Sequence, residues 1–66
     1  MRLRINGEER EVAEGCTVAD LVASLGLAGR RVAVEKNRDV LPASRWQIET
    51  LSEHDVLEIV HFVGGG

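Results

Sequence analysis

Val56-Leu57-Glu58-Ile59-Val60-His61-Phe62-Val63-Gly64-Gly65-Gly66 decides the fold: the longest apolar strand of the chain breaks off at three glycines. Val56 to Val63 is read as a strand because it is rich in β-branched residues and follows the turn residues Ser52-Glu53-His54-Asp55. A strand this apolar belongs in the middle of a sheet. Side chains alternate across a strand, so Leu57 and Ile59 share one face while Glu58, Val60 and Phe62 share the other. Leu57 and Ile59 are assigned to the core. Val60 and Phe62 then point outward beside the glycines, where an exposed Val and Phe suit a pocket on a partner.

The rest of the chain supplies what such a strand needs. Leu3 and Ile5 alternate with Arg2, Arg4 and Asn6, the pattern of a strand with one buried face. Asn6-Gly7 tolerates positive φ at both positions, which predicts a hairpin returning through Glu9–Val12, with Val12 facing the core. Thr17 stands where a helix N-cap belongs and Asp20 supplies the acid of a shortened capping box. Gly26 stops the helix. Between them Val18, Leu21, Val22 and Leu25 make one apolar stripe, so a helix over Val18–Leu25 packs on the sheet. Arg31–Glu35 predicts another strand, turned by Asn37-Arg38 into the short piece Asp39–Leu41. Pro42–Trp46 suits a single helical turn, with Trp46 covering the core edge.

Composition narrows the function. With 66 residues the chain is one small domain, too small to wall a deep catalytic cleft, which disfavours an enzyme. Eight basic against 11 acidic residues give a net charge of -3 with no basic cluster, which disfavours nucleic acid. A lone Cys16 forms no internal disulfide, and Met1-Arg2-Leu3-Arg4 opens no apolar run for export or a membrane span. A cytoplasmic protein is expected.

The ending carries the chemistry. Residues 1–63 are expected to form the domain and Gly64-Gly65-Gly66 a flexible tail, although glycines at a terminus are also what a frayed end shows. Extended, three glycines reach roughly 10 Å and have the thinnest backbone a chain offers, so they can thread a channel and bring the Gly66 carboxylate to a buried site. A carboxylate resists attack until it is activated, and an acyl-adenylate made from ATP provides the leaving group. The chain has no P-loop and no metal-ligand cluster, so it is expected to bind no cofactor itself. ATP and Mg²⁺ would be used by a separate adenylating enzyme.

Over nearly its whole length the sequence resembles the sulfur-carrier protein family of thiamine biosynthesis, within the ubiquitin-like β-grasp group. The likeness rests on Ile5-Asn6-Gly7, Thr17-Val18-Ala19-Asp20-Leu21, Val32-Ala33-Val34-Glu35-Lys36-Asn37, Leu41-Pro42 with Trp46, Asp55-Val56-Leu57-Glu58-Ile59-Val60 and Val63-Gly64-Gly65-Gly66. The resemblance implies an α+β fold with a mixed sheet of four to five strands on one main helix. It also implies that Gly66 is adenylated by an enzyme like the ubiquitin-activating enzymes and converted to a thiocarboxylate with sulfur from a donor such as a cysteine desulfurase. Thiazole synthase then takes the sulfur. Val60, Phe62, Val63, Gly64 and Gly65 would contact these partners. Ala43 departs from the basic residue often found after the proline, and Arg45 is the nearest substitute. The small subunit of molybdopterin synthase shares fold and ending, as does a ubiquitin-like modifier joined to lysines through its last glycine, so both remain alternatives.

Three other residues invite a role. Cys16 precedes the helix N-terminus, whose dipole could favour a reactive thiolate, but single cysteines are mostly inert and a packing role between hairpin and helix is expected. His54 and His61 have no companion at metal-ligand spacing and are assigned to the surface.

Overall fold

The computed structural model describes residues 1–62. Strands β1 (Arg2–Ile5) and β2 (Glu8–Glu11) form the first hairpin, followed by helix α1 (Val18–Ser24). Strands β3 (Val32–Lys36) and β4 (Asp39–Leu41) make a second hairpin, and β5 (Val56–His61) closes the series. The sheet order is β2-β1-β5-β3-β4, with β5 in the centre, parallel to β1 and antiparallel to β3. This is the mixed β-grasp sheet expected from the sequence.

Both hairpins turn through two residues with positive φ: Asn6 (51°) and Gly7 (82°) in the first, Asn37 (52°) and Arg38 (74°) in the second. Their twist matches that of the flanking strands, which is why asparagine and glycine are favoured there. Helix α1 has a complete capping box: Asp20 N–H donates to Thr17 Oγ1 at 3.1 Å and Thr17 N–H donates to Asp20 Oδ2 at 3.0 Å. Its other first-turn donors reach the segment before β5, Val18 N–H bonding Glu49 O at 2.9 Å and Ala19 N–H bonding Trp46 O at 3.0 Å. At the other end Gly26, at φ 77°, lets the Leu27 and Gly26 N–H groups return to Val22 O and Ala23 O.

The core lies between α1 and one face of the sheet. Leu3, Ile5, Val34, Leu57 and Ile59 from the strands meet Val18, Leu21 and Val22 from the helix, with Leu51 beside them. Leu57 and Ile59 face inward as expected. Val12, Leu25, Leu41, Cys16 and Trp46 pack around the edge, and Trp46 Nε1–H donates to Leu41 O at 3.0 Å. The expected single turn after Pro42 is a 3-10 turn over Ala43–Arg45.

Several boundaries differ from expectation by a residue or two. The second strand starts at Glu8 and ends at Glu11, although Val12 N–H still pairs with Met1 O at 2.9 Å. Helix α1 ends at Ser24 with Leu25 as its cap, because Gly26 has already left helical geometry. β3 is shifted one residue onward, since the asparagine turn opens only after Lys36 pairs with Asp39. β5 ends at His61 rather than Val63, with Phe62 N–H still donating to Arg31 O at 3.0 Å. Val63 and the tail Gly64-Gly65-Gly66 lie outside the described residues.

Asn6 does more than turn the chain. The parallel β1–β5 register stops at Ile5 and Leu57, and the Asn6 side chain extends it: Nδ2–H donates to Ile59 O at 3.0 Å and Ile59 N–H donates to Oδ1 at 2.8 Å. Removing that amide leaves two part-buried backbone groups in the central strand without partners, at a cost of about 1–3 kcal/mol. Asn6→Gly keeps the left-handed backbone available and is therefore expected to lose stability through the amide alone. Urea unfolding tests this, together with amide exchange at Ile59; unchanged stability and unchanged Ile59 exchange would show the amide to be dispensable.

Candidate functional site

The candidate site is the exit of β5 together with the sheet face that α1 leaves open. β5 is held from both sides. On the β1 side stand the Asn6 contacts. On the β3 side, Val56 N–H donates to Asn37 Oδ1 at 2.9 Å and Asn37 N–H donates to Val56 O at 2.8 Å. Asn37 Nδ2–H continues to Asp55 Oδ1 at 2.9 Å, and Asp55 Oδ2 accepts from Ser52 N–H at 2.8 Å. Lys36 Nζ lies 3.7 Å from Asp55 and 3.3 Å from Glu49, tying the base of β5 to the segment that caps α1. Among the described residues Asp55 is the one buried polar side chain, and each of its carboxylate oxygens has a donor.

Sequence reasoning missed this latch. The turn asparagines were legible as turn residues, but their side-chain partners lie 53 positions away for Asn6 and 18 or 19 for Asn37. The available signal was that both two-residue turns carry asparagine first, where glycine or aspartate would also satisfy the backbone.

The open face carries the expected contact residues. Val60 is 54% exposed and Phe62 59%, and the alternation of β5 sets Val56 and Glu58 on the same side. Ala33 stands opposite Val60, and Val40 stands opposite Glu35. The structure leaves Val60 and Phe62 exposed, whereas Val63, Gly64, Gly65 and Gly66 fall outside the described residues.

Cys16 takes the packing role, not that of a reactive thiolate. Burial pushes its thiol above the usual range and the nearby Asp20 carboxylate adds to the effect, so desolvation and negative charge outweigh the helix terminus. Its Sγ–H donates to Thr17 O at 3.4 Å, and the residue packs against the core edge. His54 is exposed in the turn before β5, with φ 70° and its N–H donating to Arg2 O at 2.8 Å. His61 is exposed at the end of β5, opposite Val32. Arg45 lies 3.8 Å from Glu49 on the surface. Among the described residues no group of three or more His, Cys, Asp or Glu could hold a metal ion, and no helix is long and apolar enough to cross a membrane.

A mixed five-stranded sheet over one capped helix, with a central last strand running toward a glycine ending, defines a ubiquitin-like β-grasp protein. The sequence model of the ThiS family matches residues 3–66, so the glycine ending lies within the family pattern. The sulfur carrier protein ThiS of Bacillus subtilis (strain 168) is 40% identical over 65 residues, covering 97% of this chain and 98% of that protein. The crystal structure of thiamine biosynthesis protein ThiS from Geobacter metallireducens matches with a TM-score of 0.83 at 35% identity, covering 100% of both chains. A thiazole synthase of Paramagnetospirillum magneticum is 46% identical over 66 residues, and one of Magnetococcus marinus 39%. The chain spans about a fifth of the length of these two synthases, 20% of each. It belongs to the ThiS family, as the sequence resemblance implied.

A protonated, partly buried thiol reacts slowly. Cys16 is therefore expected to alkylate with iodoacetamide more slowly at neutral pH than a free cysteine, its rate still climbing with pH past the range where ordinary thiols level off. Mass-resolved kinetics across pH check this. Rapid neutral-pH labelling would restore Cys16 as a reactive candidate.

Proposed function

We propose that this protein is a sulfur carrier for the thiazole branch of thiamine biosynthesis and acts through the carboxylate of Gly66. The observation that carries the proposal is the family match running through residue 66, at the end of a central strand locked by Asn6 and Asn37. A carrier needs a rigid base, a slender end and a terminal acyl group. β5 supplies the base, and Gly64-Gly65-Gly66 the end, with no side chain to collide inside a partner.

The chain is then a protein co-substrate rather than a catalyst. A ubiquitin-activating-enzyme-like adenylyltransferase, using ATP and Mg²⁺, joins a Gly66 carboxylate oxygen to the α-phosphorus and releases pyrophosphate. A sulfur nucleophile supplied by a donor such as a cysteine desulfurase adds to the acyl carbon. The bond from that carbon to the adenylate oxygen breaks and AMP leaves; where the nucleophile is a persulfide, a thiol then cleaves the S–S bond of the acyl disulfide, releasing the thiocarboxylate and leaving a disulfide. Thiazole synthase receives the sulfur. These reactions belong to the cytoplasm. The synthases of Paramagnetospirillum magneticum and Magnetococcus marinus, each containing a stretch that matches all of this chain, support delivery to that enzyme.

Val60 and Phe62 dock the partner while Val63, Gly64 and Gly65 lead into it. Both exposed side chains flank the strand's exit, where they orient the ending before chemistry begins.

Incubation with ATP, Mg²⁺, the adenylyltransferase and a sulfur donor is expected to replace one oxygen of Gly66 by sulfur, read by intact mass. Cys16→Ala is expected to undergo the same exchange. No exchange in the wild-type chain would sink the carrier reading, and branched glycine remnants on target lysines would favour the modifier instead.

Phe62→Glu is expected to fold with a change within about 0.5 kcal/mol, because the side chain is exposed. Its charge would be desolvated in the docked complex, weakening partner affinity a hundredfold or more, as a penalty of about 3 kcal/mol implies. Thermal unfolding reports the first effect and titration with the partner the second. Normal binding would remove Phe62 from the interface.

A further inference from the structure

The open face of the sheet holds a second feature that the carrier reading does not use. Glu35 on β3 and Glu58 on β5 are direct cross-strand partners, and both are exposed on that face. Directly opposed side chains in an antiparallel pair have Cβ atoms about 4.5–5.5 Å apart, and like charges so placed repel. Among the described residues, Arg2 and Arg4 are engaged with Glu9 and Glu11, Lys36 with Glu49 and Asp55, and Arg45 with Glu49. None of these cations pairs with Glu35 or Glu58. Arg38 lines the same shallow depression as the two carboxylates, with Asn37 and Val56, and makes no ion pair with either.

Apolar side chains stand on both sides of this pair, next to Asn37 and Arg38 in the same depression and Arg4 opposite Val56. Val56 and Val60 precede and follow Glu58 on the same side of β5, Val40 stands beside Glu35, and Ala33 stands beside Val60. Among the described residues, four of the five large exposed hydrophobic side chains, Val40, Val56, Val60 and Phe62, lie on this face. A repelling carboxylate pair set in an apolar patch gives the free protein nothing. Covered by a purely apolar partner it would be desolvated without compensation. A partner that brings a cation to that spot satisfies both the patch and the pair.

We infer that the open face is a docking surface in which Glu35 and Glu58 together receive an arginine side chain of thiazole synthase, with Val56, Val60 and Phe62 closing around it. A guanidinium is preferred to an ammonium because its planar fork offers donors along two edges, enough to bridge carboxylates on neighbouring strands. Thiazole synthase is the occupant because a segment matching this whole chain is built into synthases of two relatives. The inference rests on the carrier reading and adds the charge that selects the partner.

Its test uses opposite signs in two measurements on Glu35→Gln, Glu58→Gln and the double variant. Relieving the repulsion is expected to raise the melting temperature of the free protein by a few degrees, on the order of 1–6 °C. The same changes are expected to weaken binding to the cognate thiazole synthase about tenfold or more at low salt, with a smaller difference at high salt. Thiocarboxylate formation at Gly66 is measured separately on the wild-type chain, and its absence is a failure of the carrier reading. The inference itself is overturned by a wild-type chain that binds no synthase, by a double variant that binds as tightly as wild type, or by variants that lose affinity only along with thermal stability.

Discussion

Two asparagine side chains hold the central strand, and the rest of the molecule is arranged around what they fix. Asn6 and Asn37 occupy equivalent positions in the two hairpin turns, each in left-handed backbone that frees its amide to reach across to β5. Between them they bond the backbone of Val56 and Ile59, near the start and past the middle of the strand. Parallel pairing with β1 contributes only two registered residue pairs, so without Asn6 the later half of β5 would depend on β3 alone. Strand position matters more here than in a domain whose function sits in a cleft. β5 sets the direction in which the chain leaves the sheet.

The helix is anchored by the same economy of parts. The carbonyls of Trp46 and Glu49 accept from the first turn of α1, and the Glu49 side chain also engages Lys36, which lies near Asp55 at the root of β5. The segment between β4 and β5, irregular apart from one 3-10 turn, therefore closes the helix end and the strand base together. With one helix, only one face of the sheet can be covered. The opposite face stays exposed by construction, and its four large apolar residues have no second layer to enter among the described residues. An uncovered face in so small a domain is the natural place for recognition.

The periodic elements were legible in the sequence because their signals are local. Alternation placed Leu3, Ile5, Leu57 and Ile59 inward, a helical stripe placed Val18, Leu21 and Val22, and Thr17 with Asp20 announced the cap. The central place of the last strand followed from its apolar content. Contacts whose partners are far apart in sequence stayed hidden. Nothing local distinguishes Asn6 as a turn residue from Asn6 as a clamp on Ile59, or Asp55 as a turn acid from Asp55 as a buried acceptor near Lys36. Cys16 shows the converse limit. Its position before a helix left a reactive thiolate open beside the expected packing role, and what decides for packing, burial and Asp20, depends on contacts that sequence spacing does not express.

On the proposed carrier reading, recognition on β5 and reaction at the glycine ending are separated along the chain, and that separation would account for the composition of the two parts. From Val56 to Val60 every residue of β5 carries a side chain that is either in the core or on the open face. After Val63 no side chain remains to be accommodated by anything. From Phe62, four further residues span at most roughly 13–14 Å, so a partner seated on Val60 and Phe62 can hold its reactive centre no farther away than that. The reach sets a geometric condition on the partner: its docking surface and its active site must be joined by a passage of that length, narrow enough to exclude a Cβ. Lengthening the glycine run would relax the condition at an entropic cost for each added residue, and shortening it would leave the carboxylate outside. On the carrier reading the ending would act as a ruler whose zero is fixed by the asparagine clasp.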